Sequence, residues 1–182
     1  GEDLGLDRGR RSKVGRRRYA KRQREGARLF GKIASIAKVG FKHQRMARTM
    51  AFAGGMAMMR YGDGAQGVAP TRVRQRRRLL AQVVAPGFTS RCLTTLLQTD
   101  VGDRDPYFTT AFAVLDEWIF TLSRPEFAQR TQARWPVLAA KLAARVEAKR
   151  WYVVNGVMGA MIATLLHIGW KPTAPADWTT DK

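Results

Sequence analysis

The sequence predicts an all-α protein, an irregular multi-helix bundle led by an Arg-rich helix, with a place for a short strand near the N-terminus. Two observations carry this. Apolar residues recur at helical spacing in several windows along the chain, and Pro and Gly sit where helices start and stop. A third bounds the answer: 182 residues with 45% hydrophobic content suffice to bury a core, which excludes wholesale disorder.

Taken in order, Gly1–Gly15 is polar and Gly-rich, with Leu4 and Leu6 around Gly5, and reads as a short strand and turn or as a loose end. From Arg16 to Val39 the pattern is helical. Leu29, Ile33, Ile36 and Ala37 form one apolar stripe beside Phe30, behind a basic first half, and Gly40 is placed to end the helix. Phe41–Ala51 resumes the helical pattern until Gly54-Gly55 interrupts it. Met56–Met59 fits helix or strand, and Tyr61–Gly67 has the composition of a loop. Pro70 opens a helix that carries Leu79, Leu80, Val83 and Val84 and stops at Pro86-Gly87.

Thr89–Gln98 is a short helix candidate. Asp105-Pro106 supplies an N-cap followed by Pro at the first helical position. Phe108, Phe112, Leu115, Ile119 and Leu122 then follow at helical spacing, with Ala111 and Trp118 widening the expected buried face, until Pro125 stops the helix. Val137–Arg150 is an Ala-rich amphipathic stretch with Leu138, Leu142 and Val146 on one side. Trp151–Trp170 contains no charged residue, and Lys171–Lys182 is a Pro-containing tail with Trp178.

Charge sorts more sharply than hydropathy. The formal net charge is +19, with 33 Lys and Arg against 14 Asp and Glu. Residues 1–60 hold 17 of the basic side chains and 4 of the acidic ones, whereas 101–182 is nearly neutral. The chain therefore reads as an end segment over 1–15, a basic helical region over 16–100 and a neutral helical core region over 101–182. Two clusters stand out: Arg16, Arg17, Arg18, Lys21, Arg22, Arg24 and Arg28, then Arg72, Arg74, Arg76, Arg77 and Arg78. Arg outnumbers Lys in both, which favours forked contacts to phosphate. The expected partner is nucleic acid, DNA or RNA, held by its phosphate backbone; an anionic membrane surface comes second. Only Tyr19 and Phe30 interleave with the clusters, so base stacking contributes little.

Other constellations reduce to structure. Gly62-Asp63-Gly64-Ala65-Gln66-Gly67 spells G-x-G-x-x-G, yet Pro70 follows closely and no acid occurs before Asp100, so a glycine turn is expected rather than a dinucleotide loop. Asp100, Asp103 and Asp105 lack the Gly and distal Glu of a calcium loop. His43 and His167 are far apart in sequence, and Cys92 reads as a small buried hydrophobe. One Cys cannot form an internal disulfide or a multi-thiolate zinc site. Asp116 and Glu117 are adjacent, so on a helix they diverge by about 100° and form no carboxylate pair. No catalytic residue, cofactor or metal site is expected. Trp151–Trp170 is long enough to span a bilayer, but Asn155, His167 and three glycines favour a buried core helix. A membrane-anchored basic protein and a ribosome-associated RNA-binding protein are the alternatives.

The order of these landmarks resembles the region after the polymerase palm in reverse transcriptases of non-long-terminal-repeat retroelements. Asp3-Leu4-Gly5-Leu6-Asp7 is similar to the strand that closes that palm, and an Arg-rich helix like Arg16–Val39 follows it. Next come a Tyr-Gly as at Tyr61-Gly62, an Arg-containing helix like Thr71–Val84 and an Asp-Pro start as at Asp105-Pro106. The last block is Gly156-Val157-Met158-Gly159-Ala160, where Val157 stands in place of the family's usual Pro, followed by Ile168-Gly169-Trp170 and a tail with Pro172, Pro175 and Trp178. The resemblance implies a thumb and connector that grips template–primer, with 1–15 a remnant of the palm edge. It implies an RNA-directed DNA polymerase as parent, whose catalytic aspartates lie elsewhere in a larger polyprotein, and a nuclear location.

Overall fold

A computed structural model describes residues 13–87 and 92–180, apart from the side chains of 13–16, 41 and 179–180. The strand expected around Leu4 and Leu6 lies outside the described residues. Among them the protein is all-α, save for one short antiparallel pairing near the C-terminal end. The chain divides into two compact units. Of the described residues, one takes in 13–61 and 70–109; the other takes in Gly62–Ala69 and 110–180. The boundary expected near residue 100 thus falls inside the first unit.

The first unit is built on α1 (Lys13–Ala37), whose Phe30, Ile33, Ala34 and Ala37 point into the core. Gly40, at φ 153°, turns the chain, and its carbonyl accepts from the His43 and Gln44 amides in the first turn of α2 (Phe41–Met50). Gly54-Gly55 does not interrupt the helix as expected. The chain widens into a π-helical turn over Ala51–Met56 and runs on as α3 (Ala57–Arg60). The reason is close packing on α1: a Cβ on Gly55 would lie 2.6 Å from the Phe30 ring, and one on Gly26 2.4 Å from Met59 Cγ. Glycine here makes room for large neighbours rather than breaking the helix. Within the other unit, Asp63–Gln66 forms the single turn α4. α5 (Pro70–Val84) contributes Leu80, Val83 and Val84 to the same core as α1, and α6 (Leu93–Asp100) contributes Leu97.

The second unit corrects several expectations. Tyr61–Gly67 is not a plain loop, because α4 closes one helical turn between glycines at φ 83° and 65°. A Cβ on Gly67 would meet the Trp151 ring at 2.9 Å, so the glycines of this string serve turning and close approach. α7 (Pro106–Leu122) starts at the Asp105 cap as expected, but its buried row is Thr110, Val114 and Trp118. Phe112 and Ile119 are each 57% exposed. Trp118 is buried as expected, and Leu115 and Leu122 pack partly buried against the core; because the helix is apolar almost all round, spacing finds these but does not locate the best-buried row.

Pro125 does not merely stop α7; it is the first residue of α8 (Pro125–Ala143). The helix expected over Val137–Arg150 therefore begins a dozen residues earlier and ends at Ala143, with Pro136 inside it and Val146 exposed beyond it. A short turn, α9 (Glu147–Arg150), follows. The uncharged run Trp151–Trp170 contains only a 12-residue helix, α10 (Gly156–His167), with Ala160, Met161, Ile162 and Leu165 buried against Trp118, Trp135 and Leu142. No described helix is long and apolar enough to cross a membrane. The tail returns to pair Trp170 with Thr180 and Lys171 with Thr179. Trp135 Nε1 donates to the Pro172 carbonyl at 2.8 Å and Trp118 Nε1 to that of Pro175 at 3.0 Å, so two buried indoles hold the tail.

Candidate functional site

An α-helix turns 100° per residue, so α1 separates its core row from a row on the opposite side. Gly26, Phe30, Ile33, Ala34 and Ala37 are buried. Arg17, Lys21, Arg24, Arg28 and Lys32 all fall on the far face, and all are exposed. At 1.5 Å per residue the row is about 22 Å long. Its one acid is Glu25, which approaches Lys21 at 3.8 Å, an exposed pair of small energetic weight. Arg18 is exposed near the same face. Arg22 sits to the side, its guanidinium 3.5 Å from the centre of the Tyr61 ring. Arg16 belongs to α1, but its side chain lies outside the described residues. Lys32 was not among the expected site residues, although its i+4 spacing from Arg28 marks it once the helix is drawn.

The second cluster divides by role. Arg76 is fully buried, so it does not face a partner as expected. Its Nη2 donates to the Met59 carbonyl, which also accepts from Gln23 Nε2 at 2.6 Å, and it lies 3.4 Å from the Tyr19 hydroxyl. The carbonyls that close a helix have no partner within it, and these donors satisfy the last turn of α3. Arg77 is also committed internally, to the Asp105 carboxylate through Nε and Nη2 at 2.9 Å each. Arg72 stands over Tyr19, 5.0 Å from the ring centre. Arg74 and Arg78, one turn apart, are exposed, with Thr71, Gln75 and Gln82 on the same face. A run of arginines in sequence thus becomes a core anchor, a largely buried ion pair and three exposed side chains, one of which, Arg72, lies against a ring.

The remaining candidates have structural partners or none. Asp100 binds Arg48 at 3.3 Å and Asp105 binds Arg77, so these acids of that loop are spent on arginines. Among the described residues no three His, Cys, Asp or Glu side chains group as metal ligands. His43 is exposed on α2, and His167 Nδ1 lies 2.6 Å from Glu147 Oε1. Cys92, expected in the core, is exposed at the N-cap of α6. Its sulfur makes no cap hydrogen bond of full geometry, but the neighbouring Thr95 amide and hydroxyl, and then Thr94, hold its thiol below the usual value.

No protein-family model matches the chain, and neither a curated protein nor a solved structure is similar to it.

Proposed function

We propose that this chain grips a nucleic-acid duplex by its phosphates, with the exposed row on α1 as the main contact and Arg74 and Arg78 of α5 as a second patch. The observation that carries the reading is the segregation on α1: five cations on the face opposite the core, with Glu25 as the helix's one acid. Arg17 and Lys21, Arg24 and Arg28, and Arg28 and Lys32 are like charges at i,i+4, each disfavouring the free helix by about 0.2–0.5 kcal/mol. None of the five packs in the core, so stability does not account for them. A polyanion does, because each phosphate met releases condensed counterions. Arg predominates, which suits forked phosphate contacts.

In its fuller form the proposal follows the resemblance: the chain is the thumb and connector of a retroelement reverse transcriptase, and the polymerising residues belong to another part of its parent. A palm with paired Asp in the preceding coding sequence is the expected finding. A coding context without one returns the chain to the class of structural RNA-binding proteins.

The binding itself is tested by titrating duplex into wild type and R17Q/R24Q/R28Q over a range of KCl. The slope of log affinity against log salt should fall by about 0.9 for each phosphate no longer neutralised, equally for all sequences. An unchanged slope, or a weakening confined to one sequence, overturns the proposal.

A further inference from the structure

The region expected to be neutral is neutral only in sum. Its helix α8 carries Arg130, Arg134 and Lys141 at i, i+4 and i+11, which the helical wheel places within about 40° of one another. Thr131, Trp135, Ala139 and Leu142 form the buried row, whose centre lies about 115° round the helix from that of the cations. All three cations are exposed, and none makes an ion pair among the described residues. Arg145, also exposed, comes one turn after Lys141, just past the end of the helix. The one acid on α8 is Glu126 in its first turn, where a carboxylate complements the helix dipole. Val137, 72% exposed, falls on the same face between Arg134 and Lys141.

We infer that α8 is a second phosphate-tracking ridge, so that each of the two units carries its own nucleic-acid contact and the chain binds bivalently. This rests on the reading above for its class of ligand, but on none of the same residues. Three features select nucleic acid over a lipid surface. Arg outnumbers Lys in the row, as forked contact with phosphodiesters favours. The buried apolar row of α8 is occupied by the core, and the large apolar side chains it leaves exposed, Phe127 and Val137, are ten residues apart and form no continuous face to insert among acyl chains. The cations are strung along a line, as are the charges of a backbone, rather than clustered as a headgroup pocket requires. Two linked sites raise overall affinity without a new kind of contact, provided one polymer reaches both.

The test uses the full chain. Duplex is titrated over a range of KCl into wild type, R130Q/R134Q/K141Q and the α1 variant R17Q/R24Q/R28Q. With the α1 row intact, the α8 variant should lose about 2.7 from the salt slope, and R130K/R134K should keep the wild-type slope. A photocrosslinking amino acid at Val137 should attach to duplex at low salt and not at high salt, which checks the ridge without removing a charge. If the α1 variant loses slope and the α8 variant does not, the ridge is overturned and the proposed function stands. If only the α8 variant loses slope, the ridge stands and the α1 interface falls. If neither does, both fall. Loss of binding to phosphatidylserine vesicles with duplex binding intact, or no crosslink from position 137, also overturns the ridge.

Discussion

Arg77 and Asp105 meet through paired 2.9 Å hydrogen bonds, with side chains only 12% and 1% exposed. The same carboxylate accepts the Tyr107 amide at 2.9 Å and so caps α7 while it holds α5. One acid thus serves two helices. Removing the arginine leaves a buried charge without its partner, and Arg77→Ala should cost about 3 kcal/mol, read as a lower urea midpoint. Arg77→Lys should fall between, because an ammonium cannot reproduce the fork. Arg78→Gln, one residue away and exposed, should stay within about 0.5 kcal/mol of wild type. Equal effects at the two positions would contradict the division of the cluster.

That division shows where sequence reasoning reached and where it stopped. α1 was legible because its apolar and basic residues follow one period on opposite faces. Arg76 and Arg77 were not, since their roles depend on Met59 and Asp105, which are 17 and 28 residues away. On α7 the spacing reached Trp118, Leu115 and Leu122, which pack on the core, but it reached Phe112 and Ile119 as well, which are exposed; Val114 offered an equally good position, and only the packing partners chose between them. Pro136 hid the length of α8, because Pro ordinarily ends a helix. The row of cations on α8 went unseen for a related reason: summing charge over 101–182 cancels Arg130 and Arg134 against acids that lie on other elements.

The glycines of α1 and of the π-helical turn give a prediction of opposite signs. Gly31 is exposed in the middle of α1, and a Cβ there would meet nothing within 4 Å. Gly31→Ala should stabilise the protein by about 0.5–1 kcal/mol through helix propensity. Gly55→Ala would drive a methyl into the Phe30 ring and should cost about 1–3 kcal/mol. Thermal unfolding of the two variants checks both, and a stabilising Gly55→Ala would refute the close approach.

Trp118 and Trp135 pack with ring centres 5.1 Å apart and planes tilted by 37°, and each indole N–H holds one carbonyl of the tail. Trp135→Phe removes the bond to Pro172 and part of a fully buried ring. It should cost about 2–4 kcal/mol, and protease should then cut the tail between Lys171 and Trp178 sooner than the body of the chain. Since the two rings touch, Trp118→Phe should not add independently, and a double-mutant cycle should show coupling of about 0.5 kcal/mol or more. Strict additivity would mean that the tail is not held as one strap.

Cys92 gives a prediction that is independent of nucleic acid. The polar groups of Thr95, amide and hydroxyl, and then of Thr94 point their positive ends toward the exposed sulfur and favour the thiolate over the thiol, holding the pKa below its ordinary value. The thiolate is the nucleophile, so the rate of alkylation by iodoacetamide follows its population and rises as pH passes the pKa. Because that pKa is lowered, the midpoint of rate against pH should lie below that of a free cysteine. Thr95→Val keeps the amide but removes the hydroxyl, so it should move the midpoint upward without restoring it fully. A midpoint at or above the free-thiol value would show that these donors do not reach the sulfur, and that the N-cap geometry of α6 is different.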